Sequence, residues 1–169
     1  MDAYCWILQD GVTVAATMDI NSVPEGIAPT IIHVDNFAKT NFKVENGTIV
    51  IDVDKSIIDA RQKQIWLLSP QCASSITGGF RSGSNVYPSQ QTDQLNIHSV
   101  ALYGGNLWTL SSNTWSFVNY TAQQGQQIEQ DMVTFIQSQQ TILSQLISSI
   151  NSSSNVAFIE SVTWPAPPN

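Results

Sequence analysis

Over residues 1–53 the apolar side chains come in short β-branched or aromatic runs, AYCWIL, TVAAT, TIIHV, FKV and TIVIDV. The gaps carry turn chemistry at Gln9-Asp10-Gly11, Pro24-Glu25-Gly26 and Asn46-Gly47. The pattern predicts strands in a small β-rich N-terminal module. Asn46-Gly47 is the strongest turn, because both central residues of a type I′ turn need positive φ. A two-residue loop there sets Val44 opposite Ile49 and Phe42 opposite Ile51 on one side, with Lys43 and Val50 on the other. The period then changes. In DKSIIDARQKQIWLLS, Ile57, Ile58, Ile65 and Leu68 recur at helical spacing. Ser56 with Asp59 has the form of a capping box, and Pro70 is expected to close the run. This predicts a helix over 56–69, within a 54–70 connection between a 1–53 module and a 71–169 module.

In the second module, ITGGFRSGSNVYPSQQ sets Phe80 opposite Tyr87 across a turn at Gly83-Ser84. TDQLNIHSVALY is expected to be a short helix with Leu95, Val100 and His98 inward, broken by Gly104-Gly105. In LWTLSSNTWSFVNY a two-residue loop at Ser112-Asn113 sets Leu110 opposite Trp115 and Trp108 opposite Phe117, all four on one face. Aromatic and polar residues alternating in cross-strand register are what a half-buried hairpin requires. That face is therefore expected to be core, with Thr109 and Ser116 on the other side. Tyr120, just past the strand, is left as the candidate ligand contact. Thr121-Ala-Gln-Gln124 has the form of a capping box. From there Ile128, Met132, Phe135, Ile136, Ile142, Leu143, Leu146, Ile147 and Ile150 form an apolar stripe along a long helix over 121–150. NSSSN is expected to end it, and VAFIESVTW to add a last short helix or strand before a PAPPN tail. The fold class is α+β: a β-rich module, a connecting helix, then β-hairpins with a long helix.

Composition changes the picture in two ways. Only 11% of residues are charged, against roughly 25% in an ordinary soluble domain, so Gln, Ser, Asn and Thr carry solubility. The net charge is −7, and all six Lys and Arg lie between Lys39 and Arg81. Such a chain lacks the clustered cations that grip a nucleic-acid backbone or an anionic membrane, and no run reaches the ~18 apolar residues of a membrane span. Neither nucleic acid nor membrane is an expected partner.

Nothing in the sequence groups into a reaction centre. His33 and His98 fall in different modules without metal-ligand spacing. GGFRSGS lacks the Lys-Ser/Thr ending of a phosphate loop. Asp54 and Asp59 sit near a helix start, where the dipole favours carboxylates. Cys5 and Cys72 read as two reduced thiols, and Asp2 stands where a secretion signal is basic, which points to synthesis in a cytoplasm. No catalytic residue, cofactor site or metal site is expected. The apolar stripe of the long helix is wider than one small hairpin is expected to cover, and its other face is Gln, Ser and Thr, with Glu129 and Asp131 the only charges. An oligomer or tight partner contact is therefore expected through Ile128, Met132, Phe135, Ile142 and Leu146.

One order of residues carries a resemblance: Phe80, Tyr87 with the Ser-Gln that follows, and Asp93; Trp108 and Trp115 in a hairpin; Thr121 opening a long helix; and an aliphatic segment ending at Trp164-Pro165. Over roughly residues 75–165 this resembles a C-terminal domain of unknown function found in many tailed-bacteriophage tail and fibre-associated proteins. The resemblance implies a non-enzymatic protein of the virion tail, made in the host bacterial cytoplasm, whose partners are other phage tail proteins. It would be a structural component near the baseplate or tail fibres, or alternatively a tail fibre assembly chaperone. A lower alternative is a glycan-binding receptor-recognition module.

Overall fold

The computed structural model describes residues 1–166; the last three residues of the PAPPN tail lie outside them. The chain is a mixed α+β protein that divides into two compact units. The first holds Met1–Gln62 with Ser154–Glu160, and the second holds Lys63–Ser153 and the residues from Ser161.

All five strands expected in the first unit are present: β1 (Asp2–Ile7), β2 (Val14–Thr17), β3 (Thr30–His33), β4 (Phe42–Glu45) and β5 (Thr48–Ile51). β1 lies between β2 and β3, antiparallel to both. Alternation sends Ala3 and Cys5 inward, where Val34 and Ile49 meet them, with Ile7, Val14, Ala16, Ile32 and Phe42 packed around. The β4–β5 hairpin has the expected register, Val44 opposite Ile49 and Phe42 opposite Ile51. Its turn takes φ of 50° at Asn46 and 75° at Gly47, the left-handed pair that this dipeptide tolerates.

Helix α1 (Val53–Thr77) departs from expectation at both ends. It begins earlier because Asp52, not Ser56, caps it: the Asp52 carboxylate accepts from the Lys55 amide at 3.0 Å. The Ser56 hydroxyl instead donates to the Asp52 carbonyl and accepts from the Asn41 amide. Nor does Pro70 end the helix. Proline removes one ladder bond and crowds the preceding turn, at about 3 kcal/mol. Here Pro70 faces solvent, while Leu68 and Cys72 on either side of it are buried. Two neighbouring carbonyls also gain side-chain donors, Ile65 from Ser69 Oγ at 2.9 Å and Leu67 from Gln71 Nε2 at 3.1 Å. Burial of the flanking residues outweighs the local penalty.

The second unit contains β6 (Phe80–Ser82), β7 (Asn85–Tyr87), α2 (Gln91–Tyr103), β8 (Gly105–Ser111), β9 (Thr114–Tyr120) and α3 (Ala122–Ser152). The strands form one antiparallel sheet in chain order, with Phe80 opposite Tyr87 as expected. α3 starts at the expected capping box, Gln124 N–H to Thr121 Oγ1 at 3.3 Å and Thr121 N–H to Gln124 Oε1 at 2.9 Å. Ile128 and Met132 from α3 close over Phe80, Tyr87, Leu107 and Tyr120 of the sheet, with Ile97 and Val100 of α2. The α2–α3 crossing depends on Gly125. A Cβ there would lie 2.7 Å from the backbone of Val100 and Ala101, so a side chain would force the helices apart. The chain closes on α4 (Val156–Ser161), the helical one of the two alternatives for that segment. It belongs mostly to the first unit, where Glu160 pairs with Lys39.

Candidate ligand-binding face

Register and facing part company at the β8–β9 hairpin. Trp108 opposite Phe117 and Leu110 opposite Trp115 hold as expected, across a Ser112-Asn113 turn with φ of 48° and 61°. The facing is reversed. Trp108 is 41% exposed, Trp115 42% and Phe117 70%. The buried side of the hairpin is the one with Leu107, Thr109 and Tyr120. The aromatic face is not core because the other side carries enough apolar surface to seat α3. It also completes a polar chain that only burial makes worthwhile.

That chain links three strands. The Tyr87 hydroxyl donates to the Tyr120 hydroxyl at 3.0 Å, Tyr120 donates to Thr109 Oγ1 at 3.3 Å, and Thr109 donates to the Leu107 carbonyl at 3.1 Å. Each buried hydroxyl thus has a partner, as removal from water demands. Burial, reinforced by the Tyr120 hydrogen bond, pushes the Tyr87 phenol well above its ordinary value of 10. Tyr120 is only 9% exposed and belongs to the core, not to a ligand contact. Thr109, expected on the outside, is fully buried.

On the exposed side the three rings form one cluster. The Trp108 and Trp115 indoles are nearly parallel, 9° apart with centroids at 5.9 Å, and Phe117 tilts against Trp108 at 4.8 Å. Trp108 and Phe117 also form part of the wall of a cleft of about 440 Å³ beside α2. Asp93, Asn96 and Asn106 bring polar groups to it, and Tyr87, Ile97 and Leu107 contribute to its lining. Two of the polar groups are held in place: Asp93 Oδ2 accepts from the Gln90 amide at 3.0 Å, and Asn106 Oδ1 accepts from Asn119 Nδ2 at 3.0 Å. An apolar cleft with a few anchored polar groups is the usual form of a small-molecule site.

Two of the five residues expected to mediate association are not available at the surface. Ile128 and Met132 are buried in the core of the second unit, and Phe135 packs against it. Ile142 and Leu146 are half-buried, and farther along the helix Ile150 is fully buried. One contact from α1 reaches α3 here, the Cys72 thiol to the Gln139 carbonyl at 3.6 Å. The two α3 charges do not stand on an open face either. Glu129 meets His98 Nδ1 at 2.6 Å, and Asp131 accepts from Ser82 Oγ at 2.5 Å, tying α3 to α2 and to β6. His98 and Leu95, expected inward on α2, are exposed, and Ile97 and Ala101 take the inner positions beside Val100. His33 pairs with Asp2 across β1 and β3 at 3.0 Å. Cys5 and Cys72 are free, buried thiols whose pKa values burial raises.

A second cleft lies in the first unit beside α4, lined among others by Val34, Lys39, Val156 and Glu160. Its one described cation, Lys39, is already paired with Glu160. Among the described residues, no group of three or more His, Cys, Asp or Glu is placed to hold a metal ion, and no helix is long and apolar enough to cross a membrane. No family model, curated protein or solved structure matches the chain.

Proposed function

We propose that this protein is a non-enzymatic structural component of a bacteriophage tail, a connector near the baseplate or the fibres that works through contacts with other tail proteins. The observation that carries the reading is the apolar surface on both units. Trp66 is 73% exposed and Tyr103 82%, with Leu95 and Leu102 exposed on the same helix as Tyr103. Ile20 and Ile31 are exposed on the first unit. Scattered apolar residues are ordinary on a surface, but large aromatic rings are enriched where proteins meet. A chain with 11% charged residues has little to keep such rings apart in free solution. With Ile128 and Met132 buried, these exposed rings support the reading more than those two positions do, whether the partner is another tail protein or a second copy.

The chaperone alternative differs in fate: a chaperone leaves, and a connector stays. Mass spectrometry of purified infectious particles separates them. Peptides of this chain at near-stoichiometric level are the expected result. Their absence from particles, with abundance in infected-cell lysate, rejects the connector.

A further inference from the structure

We propose that the cleft between α2 and the β8–β9 hairpin, together with the indoles beside it, is a binding site for a neutral carbohydrate. The inference stands on the geometry of the second unit alone and goes beyond a connector role. A pyranose ring presents C–H bonds on its faces and hydroxyls around its edge. Its faces suit the electron-rich faces of aromatic rings, and its edge needs groups that accept and donate hydrogen bonds side by side. Both are present here. Trp108, Trp115 and Phe117 supply exposed rings within 5.9 Å of Trp108, as a continuous aromatic surface. Asp93 supplies a carboxylate, and Asn96 and Asn106 supply amides, all lining the cleft that Trp108 and Phe117 help to wall.

Two of these polar groups are pre-positioned, Asp93 by the α2 cap and Asn106 by Asn119, so little ordering is lost when a ligand binds. The cleft, about 440 Å³, is within the roughly 300–1,000 Å³ typical of small-molecule sites. Charge decides the class of sugar. No Lys or Arg lines the cleft, and Asp93 places a negative charge in it; the nearest cation in register is Arg81 of β6, two strands away from Leu110. Sialylated, sulfated or phosphorylated glycans meet a carboxylate and no counter-charge among the residues lining the cleft, whereas an uncharged one meets no such repulsion.

The test is an array of neutral oligosaccharides built from glucose, galactose, mannose and N-acetylglucosamine, with sialylated and phosphorylated counterparts, followed by calorimetric titration of the full chain with any glycan retained. Binding to neutral members is expected, weakened at least tenfold by Trp108→Ala and by Asn96→Ala. Asn96 is exposed on a helix, so its replacement keeps the test valid even if the Trp108 variant misfolds. The proposal falls if no neutral glycan binds, if charged glycans bind as well as neutral ones, or if Asn96→Ala binds like the parent. It also falls if light scattering shows a dimer that Phe117→Ser dissociates, since the rings would then be covered by a second copy. None of these outcomes depends on whether particles contain the protein, so this proposal and the connector reading fail separately.

Discussion

The β4–β5 and β8–β9 hairpins share a two-residue left-handed turn and the same spacing of apolar positions around it, yet they face opposite ways. In the first, Val44 pairs with Ile49 and Phe42 with Ile51, and this side supplies the core with Ile49 and packs Phe42 against it, while Ile51 at its end is 37% exposed. In the second, Leu110 pairs with Trp115 and Trp108 with Phe117, and the rings turn outward. The difference lies in what stands behind each hairpin. The alternative side of β4–β5 offers Lys43, Glu45, Thr48 and Val50, of which only Val50 is apolar. The alternative side of β8–β9 offers Leu107, Val118 and Tyr120, continuous with Phe80 and Tyr87 of the same sheet, and α3 lays Ile128 and Met132 on it. Facing follows the total apolar area that a covering element can seal, not the hydrophobicity of the four residues nearest the turn.

This contrast makes the inner residues of β8–β9 the ones that hold the second unit together. Tyr120→Ala removes a buried ring and strands the Tyr87 hydroxyl, so chemical denaturation is expected to show a loss of about 3–5 kcal/mol. A loss below about 1 kcal/mol would mean that the sheet packs by its other face.

The buried tyrosine chain gives the comparison a pH signature. Because the Tyr87 phenol is raised above 10, the folded state keeps its proton after the unfolded chain has released its own. The associated stability is complete below pH 10 and is lost as pH climbs toward the folded value, at no more than about 1.4 kcal/mol per pH unit. Unfolding followed by circular dichroism from pH 8 to 11 should show this decline, and Tyr87→Phe should flatten it. An equal decline in both proteins would place the alkaline sensitivity elsewhere.

The smallest effect is expected on the outer face. Trp115 is 42% exposed, so Trp115→Ala should cost under about 1 kcal/mol, far less than truncating a buried tryptophan. A loss of 3 kcal/mol or more would show that the indoles are covered in the native protein and would erase the distinction between the hairpins.

Much of the fold was legible along the chain. Asn46-Gly47, Gly83-Ser84 and Ser112-Asn113 each signalled a turn, and their pairings appear in the expected register, because a two-residue loop leaves no freedom in which residues oppose each other. The Thr121–Gln124 cap of α3 was readable for the same reason, being satisfied entirely within one turn. The binding face was less legible. Trp108, Trp115 and Phe117 were visible as a cluster, but Asp93 and Asn96 come from α2 and Asn106 from β8, across the break at Gly104. Only a spacing between elements, which periodicity does not encode, could have joined them.

Local rules, then, were settled by sequence alone: where strands turn, who pairs with whom, where α3 begins. These depend on φ, ψ and hydrogen bonds among residues a few positions apart. Tertiary structure decided the rest. It carried α1 through Pro70 by burying Leu68 and Cys72, drew Tyr120 and Thr109 inward beneath α3, and left three aromatic rings on the surface. Each of those outcomes turns on which apolar surfaces meet. That is a sum over distant parts of the chain, and no window of sequence contains it.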